Sequence, residues 1–385
     1  MDYNIISDNY DKYINTCIET ILNKHFTIDE ISLSRNYILA SDIDDDEFIT
    51  LIKKHRLEMI NNKIEHTKRV VKNIISMSEK MNLSVDFTKI VKTTALLHDI
   101  GRFAQVLFSD TFIDSYAFKD KEFHNHAEFG AKILNDGEFV NLGGDLKHLP
   151  IVYLAVLHHQ DQYLKGYLAS KIDDSFNNLD VEDLLTGSLD LNKSEKLIVA
   201  LLTQMVKDVD MLDIIYQRLT GDIPLEREWI LKKNKNGLDN LALAWGVSVD
   251  DILEYNKISK KDTLLNDEIK IPVKKIPDEK FFVADDIKRA IYNGDDIDLK
   301  TLQSRDDFTF ITAHWWVLYH FLKNISFTSN LMVLQETNLL DKLYEKFPPR
   351  FKPHMKEIIE YAKEVLLKET IENSDNLIYV RRKPY

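Results

Sequence analysis

The sequence predicts a mainly α-helical protein with a small α+β insertion. Apolar residues recur at helical spacing through most of the 385 residues. The chain has only 11 glycines and 8 prolines, which favours long helices over a turn-rich β fold. Hydrophobic residues make up 44% of the chain, so a substantial core can form and global disorder is not expected. Near residue 222 the pattern changes to short segments typical of strands and short helices, and this change marks the insertion.

The first part of the chain predicts a series of helices. Residues 1–50 contain apolar positions at helical spacing, followed by the acidic run "SDIDDDEF". That run suits a helix start, because carboxylates favour the positive end of the helix dipole. A polar and aromatic loop is expected over residues 109–122. The later helices are predicted at residues 50–82, residues 88–108, "HAEFGAKIL", "LPIVYLAVLHH" and "SEKLIVALLTQMVKDVDMLDIIYQRL".

The sequence of the insertion predicts elements in the order β-α-α-β. Helices are predicted to resume near residue 283 and to run to about residue 370. The predicted elements are a strand at Trp229–Lys233, helices at Leu238–Trp245 and Val249–Tyr255, and a strand at Ile269–Pro272. The predicted domains are a helical core at residues 1–222, the insertion at residues 223–283, and helices at residues 284–385 that complete the core.

Charge limits the partners that this chain can bind. The formal net charge is −13 at pH 7. Proteins that bind long nucleic acids usually carry a basic surface that neutralises phosphates, so stable binding of long DNA or RNA is disfavoured. A small phosphorylated substrate is compatible with this charge, because bound metal ions reverse the local field.

Cysteine usage and the apolar runs favour a cytoplasmic protein. Cys17 is the single cysteine, which excludes an intramolecular disulfide and a cysteine-rich zinc cluster. The N-terminus lacks the basic and then apolar regions of a signal peptide. No apolar run approaches the roughly 18–20 residues that span a bilayer. We therefore expect a cytoplasmic location without membrane contact. The sequence does not indicate which oligomeric state the protein adopts.

An adjacent His98-Asp99 pair lies inside the apolar stretch "TTALLHDIGRF". A buried carboxylate needs a cationic partner, either a basic side chain or a metal ion. More candidate ligands lie in predicted helices: His66, His126, the pair His158-His159, and the run "KDVDMLD". Each has an ordinary explanation when taken alone, such as a surface histidine, a helix-end histidine or a solvated acidic face. Their joint order, H…HD…H…HH…D, predicts a metal site.

This order resembles the HD-domain metal-dependent phosphohydrolase superfamily. His66 is similar to its first histidine, His98-Asp99 to its doublet and Asp210 to its last aspartate, while "HDIGR" resembles a frequent form of the doublet motif. The resemblance spans about residues 64–216 and implies an HD-domain helical bundle. His126 and the pair His158-His159 resemble the extra histidines of bimetallic members, which include the HD-GYP phosphodiesterases. The segment "QDQYLKGYLASK" departs from the Gly-Tyr-Pro signature, so a cyclic-di-GMP activity is not carried over.

The resemblance implies a binuclear site of divalent transition metals. Imidazoles together with carboxylates suit Mn, Fe, Co, Ni or Zn. Two such ions can clamp the attacking and leaving oxygens of an in-line displacement. Asp99 is expected to bridge the ions and, with His98 and Arg102, to be catalytic. One ion is assigned to His66, His98, Asp99 and Asp210, and the second to His126, His158 and His159.

Two further residues could bind the substrate phosphate. Arg102 lies about one turn after the doublet, and its planar guanidinium matches phosphate oxygens. A salt bridge from Arg102 to a nearby acid is an equal alternative. Lys165 is a second candidate on a predicted loop.

Two ligand positions have close competitors in the sequence. His126 is preferred over His124, because "AEFGAKIL" follows it. Asp210 is preferred over Asp208, because "VDMLD" resembles the usual aspartate segment of the superfamily.

Residues 228–275 resemble a LysM module, a βααβ unit associated with N-acetylglucosamine-containing glycans. The resemblance depends on "LDNLALAWGVSVDDILEYNKI" and "IKIP", whereas "GLDNL" departs from the usual Gly-Asp-Thr-Leu. The expected partner of this insertion is a glycan or a protein. A structural role is an alternative, and the helices could also form a helix-turn-helix, although the acidic surroundings oppose DNA binding.

The favoured function is metal-dependent hydrolysis of a phosphomonoester or phosphodiester in a small metabolite, with a nucleotide preferred. One alternative is an HD-type nuclease acting on single-stranded nucleic acid. The other is a non-catalytic sensor that binds a nucleotide in the HD pocket and a glycan or protein through the LysM-like unit.

Overall fold

The computed structural model confirms a mainly α-helical fold with a two-stranded sheet. It describes residues 2–34, 44–112, 114–118, 121–160, 193–221, 225, 228–233, 238–258, 268–295, 297–298, 301–302, 305 and 307–372. Two compact units are present. The first runs to Asp213 and includes Ser326–Asn330, and the second holds the other described residues.

Helices account for the regular structure of the first unit. They are α1 (Tyr3–Asn23), α2 (Ile28–Ser34), α3 (Asp45–Lys80), α4 (Val85–Leu97), α5 (Ile100–Gln105), α6 (Asp114–Ala117), α7 (His126–Ile133), α8 (Phe139–Asn141), α9 (Leu149–His158) and α10 (Lys193–Thr220), the last of which ends in the second unit. A π-helical turn, Leu134–Glu138, joins α7 to α8, and a 3-10 turn, Leu146–His148, precedes α9.

The acidic run before residue 50 starts a helix, as predicted. Asp44 is the N-cap of α3, and its side chain accepts a hydrogen bond from the Glu47 backbone N–H at 2.9 Å. Three acidic residues, Asp45, Asp46 and Glu47, occupy the first turn. These carboxylates interact favourably with the positive end of the helix dipole.

The predicted single helix over residues 88–108 was wrong, because the chain breaks at the doublet. α4 ends at Leu97, and α5 begins at Ile100. Asp99 has φ −105° and ψ 18°, outside the helical region. Apolar periodicity continues across this break because both short helices bury apolar side chains, so the pattern alone did not reveal it.

The core of the first unit lies between its long helices. α1, α3, α4, α9 and α10 all contribute fully buried side chains to one apolar cluster. Examples are Ile6, Ile74, Leu97, Val152 and Leu202. Cys17 is buried in the same cluster. This packing fixes the helices on which the candidate ligands lie.

The β-α-α-β order predicted for the insertion is confirmed in the second unit. It consists of β1 (Trp229–Lys233), α11 (Leu238–Trp245), α12 (Val249–Asn256) and β2 (Glu268–Pro272). The strands are antiparallel, with Trp229 opposite Pro272 and Lys233 opposite Glu268. The Asn256 side chain bonds the Lys270 carbonyl at 2.7 Å and the Lys270 N–H at 3.0 Å, which joins α12 to β2.

Helices follow the sheet in sequence. They are α13 (Asp285–Asn293), α14 (Phe310–Asn324), α15 (Thr328–Glu336), α16 (Leu339–Lys346) and α17 (Lys352–Glu372), and 3-10 turns lie at Val273–Lys275 and Asp278–Lys280. The predicted domain boundaries at residues 222 and 283 stay a prediction. The second compact unit contains the sheet together with most of the helices after residue 284.

A helix that crosses a bilayer needs roughly 20 predominantly apolar residues. Within the described ranges, every helix is too short or too polar to cross a bilayer.

Candidate metal centre

Asp99 lies at the centre of a buried cluster of histidines. Its Oδ2 is 3.3 Å from His66 Nε2 and 3.5 Å from His98 Nε2. Its Oδ1 is 3.2 Å from His126 Nε2. The side chains of Asp99 and these three histidines are at most 4% exposed. The two carboxylate oxygens of Asp99 therefore face different histidines.

Six of the predicted ligands form two groups whose donor atoms lie within 4.8 Å of one another. His66 from α3, His98 after α4 and Asp210 from α10 form the first group. The second group contains Asp99, His126 at the start of α7, and His159 after α9. Imidazole and carboxylate donors in these numbers suit divalent transition metals.

Every histidine in the cluster has its other ring nitrogen fixed by an acceptor. An Nδ1–H that donates to oxygen leaves the Nε2 lone pair directed into the cluster, which is how second-shell partners orient metal-binding imidazoles. Two of the acceptors are carboxylates, and two are backbone carbonyls three residues earlier. The Nδ1 distances are 2.8 Å from His66 to Asp213, 2.8 Å from His98 to the Ala95 carbonyl, 2.8 Å from His126 to Asp114, and 2.6 Å from His159 to the Val156 carbonyl.

The donor set fits a bound cation. His66 Nε2 and His98 Nε2 are 3.3 Å apart, and with both Nδ1 atoms protonated they face each other as two acceptors. His66 Nε2 is also 3.2 Å from Asp210 Oδ1. Lone pairs and carboxylate charges at these distances repel one another unless a positive charge lies between them.

The pKa values in the cluster reflect the same demand for positive charge. Burial lowers the pKa of His66, but three carboxylates outweigh burial and raise it to about 10; they are Asp210, Asp213 and Asp99. Without a metal ion, a proton on His66 supplies positive charge. Burial, together with His126 and His98, lowers the pKa of His159 to about 3, so its ring is neutral and able to bind a metal. Burial opposes ionisation of Asp99, yet Lys63 and His98 hold its pKa well below the usual range.

Two glycines allow the helices that carry the second group to approach closely. A Cβ placed on Gly101 would lie 2.3 Å from the His126 carbonyl oxygen and 2.8 Å from the Gly130 nitrogen. A Cβ on Gly130 would lie 3.0 Å from the Gly101 nitrogen. α5 and α7 therefore pack backbone against backbone, which brings Asp99 and His126 together.

The structure distinguishes the close competitors in the sequence. Asp210 lies in the cluster, whereas Asp208 accepts hydrogen bonds from the backbone N–H groups of Ser326 and Phe327, at 2.8 and 2.9 Å. His124 is exposed, and its backbone N–H bonds Glu128. Among the described residues, the two groups include His159 but not His158, which was also predicted to be a ligand. His158 is buried at the last position of α9.

Arg102 adopts the salt bridge that was the alternative to phosphate binding. Its Nη1 is 2.7 Å from Asp114 Oδ1, 2.6 Å from the Phe112 carbonyl and 2.9 Å from Gln105 Oε1. Asp114 also accepts from His126, so Arg102 stabilises a ligand-orienting carboxylate. Lys165, the other predicted phosphate contact, lies outside the described residues.

The sequence interpretation missed the side chains that surround the ligands. Lys63 Nζ is 2.5 Å from Asp99 Oδ2, and Arg69 Nε is 2.6 Å from Asp213 Oδ1. A signal existed for Lys63, because it lies three residues before the predicted ligand His66 on the same helix. Asp213 already belonged to the candidate acidic run "KDVDMLD". Asp114 lies in a polar and aromatic segment that gave no such signal.

Comparison with known protein families matches residues 64–212 to the HD domain. This range contains all of the clustered ligands. No curated protein and no solved structure matches the chain significantly.

Proposed function

Because residues 64–212 of this chain form an HD domain, we propose that the protein is a metal-dependent phosphohydrolase. Its proposed substrate is a phosphomonoester or phosphodiester of a small metabolite, and a nucleotide is the favoured candidate. One observation carries the proposal: the two oxygens of Asp99 face two different groups of histidines, each with its Nε2 directed inward. A carboxylate placed in this way suits a bridge between two divalent ions.

The chain supplies ligands for two ions from Mn, Fe, Co, Ni and Zn. When bound, such ions polarise a phosphoryl oxygen and neutralise the charge that develops during displacement. The protein residues orient and insulate the site. Asp114 and Asp213 hold the rings of His126 and His66, and burial of the cluster limits access of bulk water. The candidate ligands are His66, His98, Asp99, His126, His159 and Asp210, with His158 as a predicted addition.

The charges beside the cluster and the net charge of the chain support a small anionic substrate. Lys63 and Arg102 place two positive charges beside Asp99, at 2.5 and 3.9 Å, which suits an anionic substrate. The net charge of −13 opposes a long polyanion. A small phosphorylated molecule satisfies both conditions.

Turnover of a nucleotide panel by protein loaded with Mn²⁺ or Co²⁺ tests this function. Release of phosphate or nucleoside monophosphate is expected, and Asp99→Asn should abolish it. Asp136→Asn is the control, because Asp136 is exposed and pairs with Lys132 at the surface. Cleavage of oligonucleotides alone would indicate a nuclease, and nucleotide binding without turnover would indicate a sensor. Undiminished turnover by Asp99→Asn would contradict the assignment.

The remaining proposals concern location and partners. A single buried Cys17 is consistent with a cytoplasmic location. The βααβ order supports the LysM-like interpretation of residues 223–283, with a glycan or a protein as its partner. Calorimetric titration of the full chain with chitin oligosaccharides tests the glycan, and an absence of heat would leave the protein partner as the proposal.

A further inference from the structure

Lys63 holds an unusual position beside the cluster. Its ammonium lies 2.5 Å from Asp99 Oδ2, the carboxylate oxygen that also faces His66 and His98. An ion held by the first group would therefore compete with Lys63 for the same oxygen. Two cations cannot both neutralise one carboxylate oxygen at contact distance without strong mutual repulsion.

Lys63 also lies at the edge of the site. Its side chain is 18% exposed, whereas that of Asp99 is 4% exposed. Lys63 Nζ lies 5.6 Å from the centre of the Phe112 ring, and Arg102 Cζ lies 5.4 Å from the same centre. Phe112 therefore lies beside two cations, of which Lys63 is the more exposed.

The two cations differ in their freedom to bind a substrate. Arg102 Nη1 is engaged by three protein acceptors, one of them the carboxylate of Asp114. Lys63 contacts Asp99 through Oδ2, the oxygen that an ion held by the first group would also contact. A lysine has a flexible four-carbon chain and a compact charge that can change partner. The Arg102 guanidinium is held in place by its Nη1 bonds, so it can offer a substrate only its remaining N–H groups, among them a buried Nε with no hydrogen-bond partner among the described residues.

We propose that Lys63 is the phosphate-binding residue of the site, and that its ammonium passes from Asp99 to a phosphoryl oxygen of the substrate when the metal binds. The inference rests on the proposed phosphohydrolase function and deepens it. It makes Lys63 a competitor of the metal in the metal-free protein and a ligand of the substrate anion in the loaded protein. Recognition then requires a phosphoryl group with a free anionic oxygen next to the metals.

Opposite effects on metal and phosphate affinity distinguish this role from a structural one. In Lys63→Met, Co²⁺ should bind the metal-free protein more tightly, because the competing cation is gone. Inorganic phosphate should bind the Co²⁺-loaded variant about tenfold to hundredfold more weakly, since a charge-assisted hydrogen bond is lost. The KM for the substrate should rise in the same way. Both affinities are measured by isothermal titration calorimetry, which does not depend on turnover.

Further variants complete the experiment. Lys68→Met is the matched control, because Lys68 lies on the same helix and pairs with Glu65 at 2.8 Å but is 67% exposed. It should leave both affinities within about twofold. Lys63→Arg keeps the charge and should retain most of the phosphate affinity. Lys63→Gln also removes the charge and carries the same expected results as Lys63→Met, so it replaces Lys63→Met if that variant does not fold.

Several outcomes would overturn the proposal. They are unchanged phosphate affinity in Lys63→Met, weakened Co²⁺ binding in that variant, loss of phosphate affinity in Lys63→Arg equal to that in Lys63→Met, and no phosphate binding by the loaded wild-type protein. A failure of the proposed phosphohydrolase function would give a different result from a failure of the Lys63 proposal. The wild-type protein would then bind Co²⁺ and phosphate with the predicted Lys63 dependence, yet it would turn over no phosphoester.

Discussion

Gly101→Ala should separate the two halves of the metal centre. The new Cβ would lie 2.3 Å from the His126 carbonyl oxygen, about 1 Å short of ordinary van der Waals contact. That oxygen belongs to the backbone of α7, so a side-chain rotation cannot relieve the clash. α7 must move away from α5, and the distance of 3.2 Å from Asp99 Oδ1 to His126 Nε2 must increase.

Two free energies decide the effect on stability. Alanine in a helix is favoured over glycine by about 0.5–1 kcal/mol, whereas overpacking of a tight contact costs about 1–3 kcal/mol. We therefore expect a net loss of up to about 2.5 kcal/mol in the free energy of unfolding of the metal-free protein. The loss of metal affinity in the second group should be larger. A displacement of about 1 Å at a precisely positioned site can reduce its performance on the order of a hundredfold, and we expect a similar loss of affinity here. His66, His98 and Asp210 lie outside this contact and should keep their ion.

Urea denaturation and metal analysis after dialysis measure these two effects. Gly101→Ala should retain one ion per chain where the wild-type protein retains two. Gly130→Ala is the graded comparison, because its Cβ would meet the Gly101 nitrogen at 3.0 Å and requires a smaller shift. A Gly101→Ala protein with wild-type stability and two ions would refute the reasoning.

The remaining predictions concern the ligands and the groups that hold them. Asp210→Asn should weaken Co²⁺ binding without unfolding the protein, whereas Asp208→Asn should cost about 1–3 kcal/mol of stability and leave Co²⁺ affinity unchanged; denaturation and calorimetry separate the two, and the reverse result would exchange their roles. Because the pKa of His66 is raised to about 10 and metal must displace its proton, apparent Co²⁺ affinity should rise with pH, by about tenfold per unit below that value; titrations at several pH values that show no rise would contradict a protonated His66. Asp114→Asn and Asp213→Asn should each weaken metal binding by about 10–100-fold, since each loses a ring-orienting carboxylate, and equal affinity to wild type would exclude that role.

Much of the fold was predictable because its determinants are local. The β-α-α-β unit was located to within one residue at each end, since its strands and helices differ in periodicity. Ser248 caps α12 through a hydrogen bond to the Asp251 N–H, a contact within four residues. The break between α4 and α5 was missed, because it accompanies a long-range contact, the approach of α5 to α7 at Gly101 and Gly130.

The ligand types of the site were predictable, but several of their partners were not. The doublet and the spaced histidines indicated a metal site because buried charge needs a counter-ion. Only the structure placed His159 rather than His158 in the cluster, since both lie at the end of α9. Asp114, the first residue of the short helix α6, accepts a hydrogen bond from His126 at the start of α7, and sequence spacing carries no information about that contact.

The central claim is that Asp99 joins two groups of ligands into one binuclear centre. Titration of the metal-free protein with Co²⁺, followed by visible absorption, tests it most directly. The wild-type protein should bind two equivalents, and Asp99→Asn should fail to bind the second and hold the first weakly. A wild-type protein that binds no Co²⁺, or an Asp99→Asn protein that binds two equivalents with unchanged affinity, would contradict the claim.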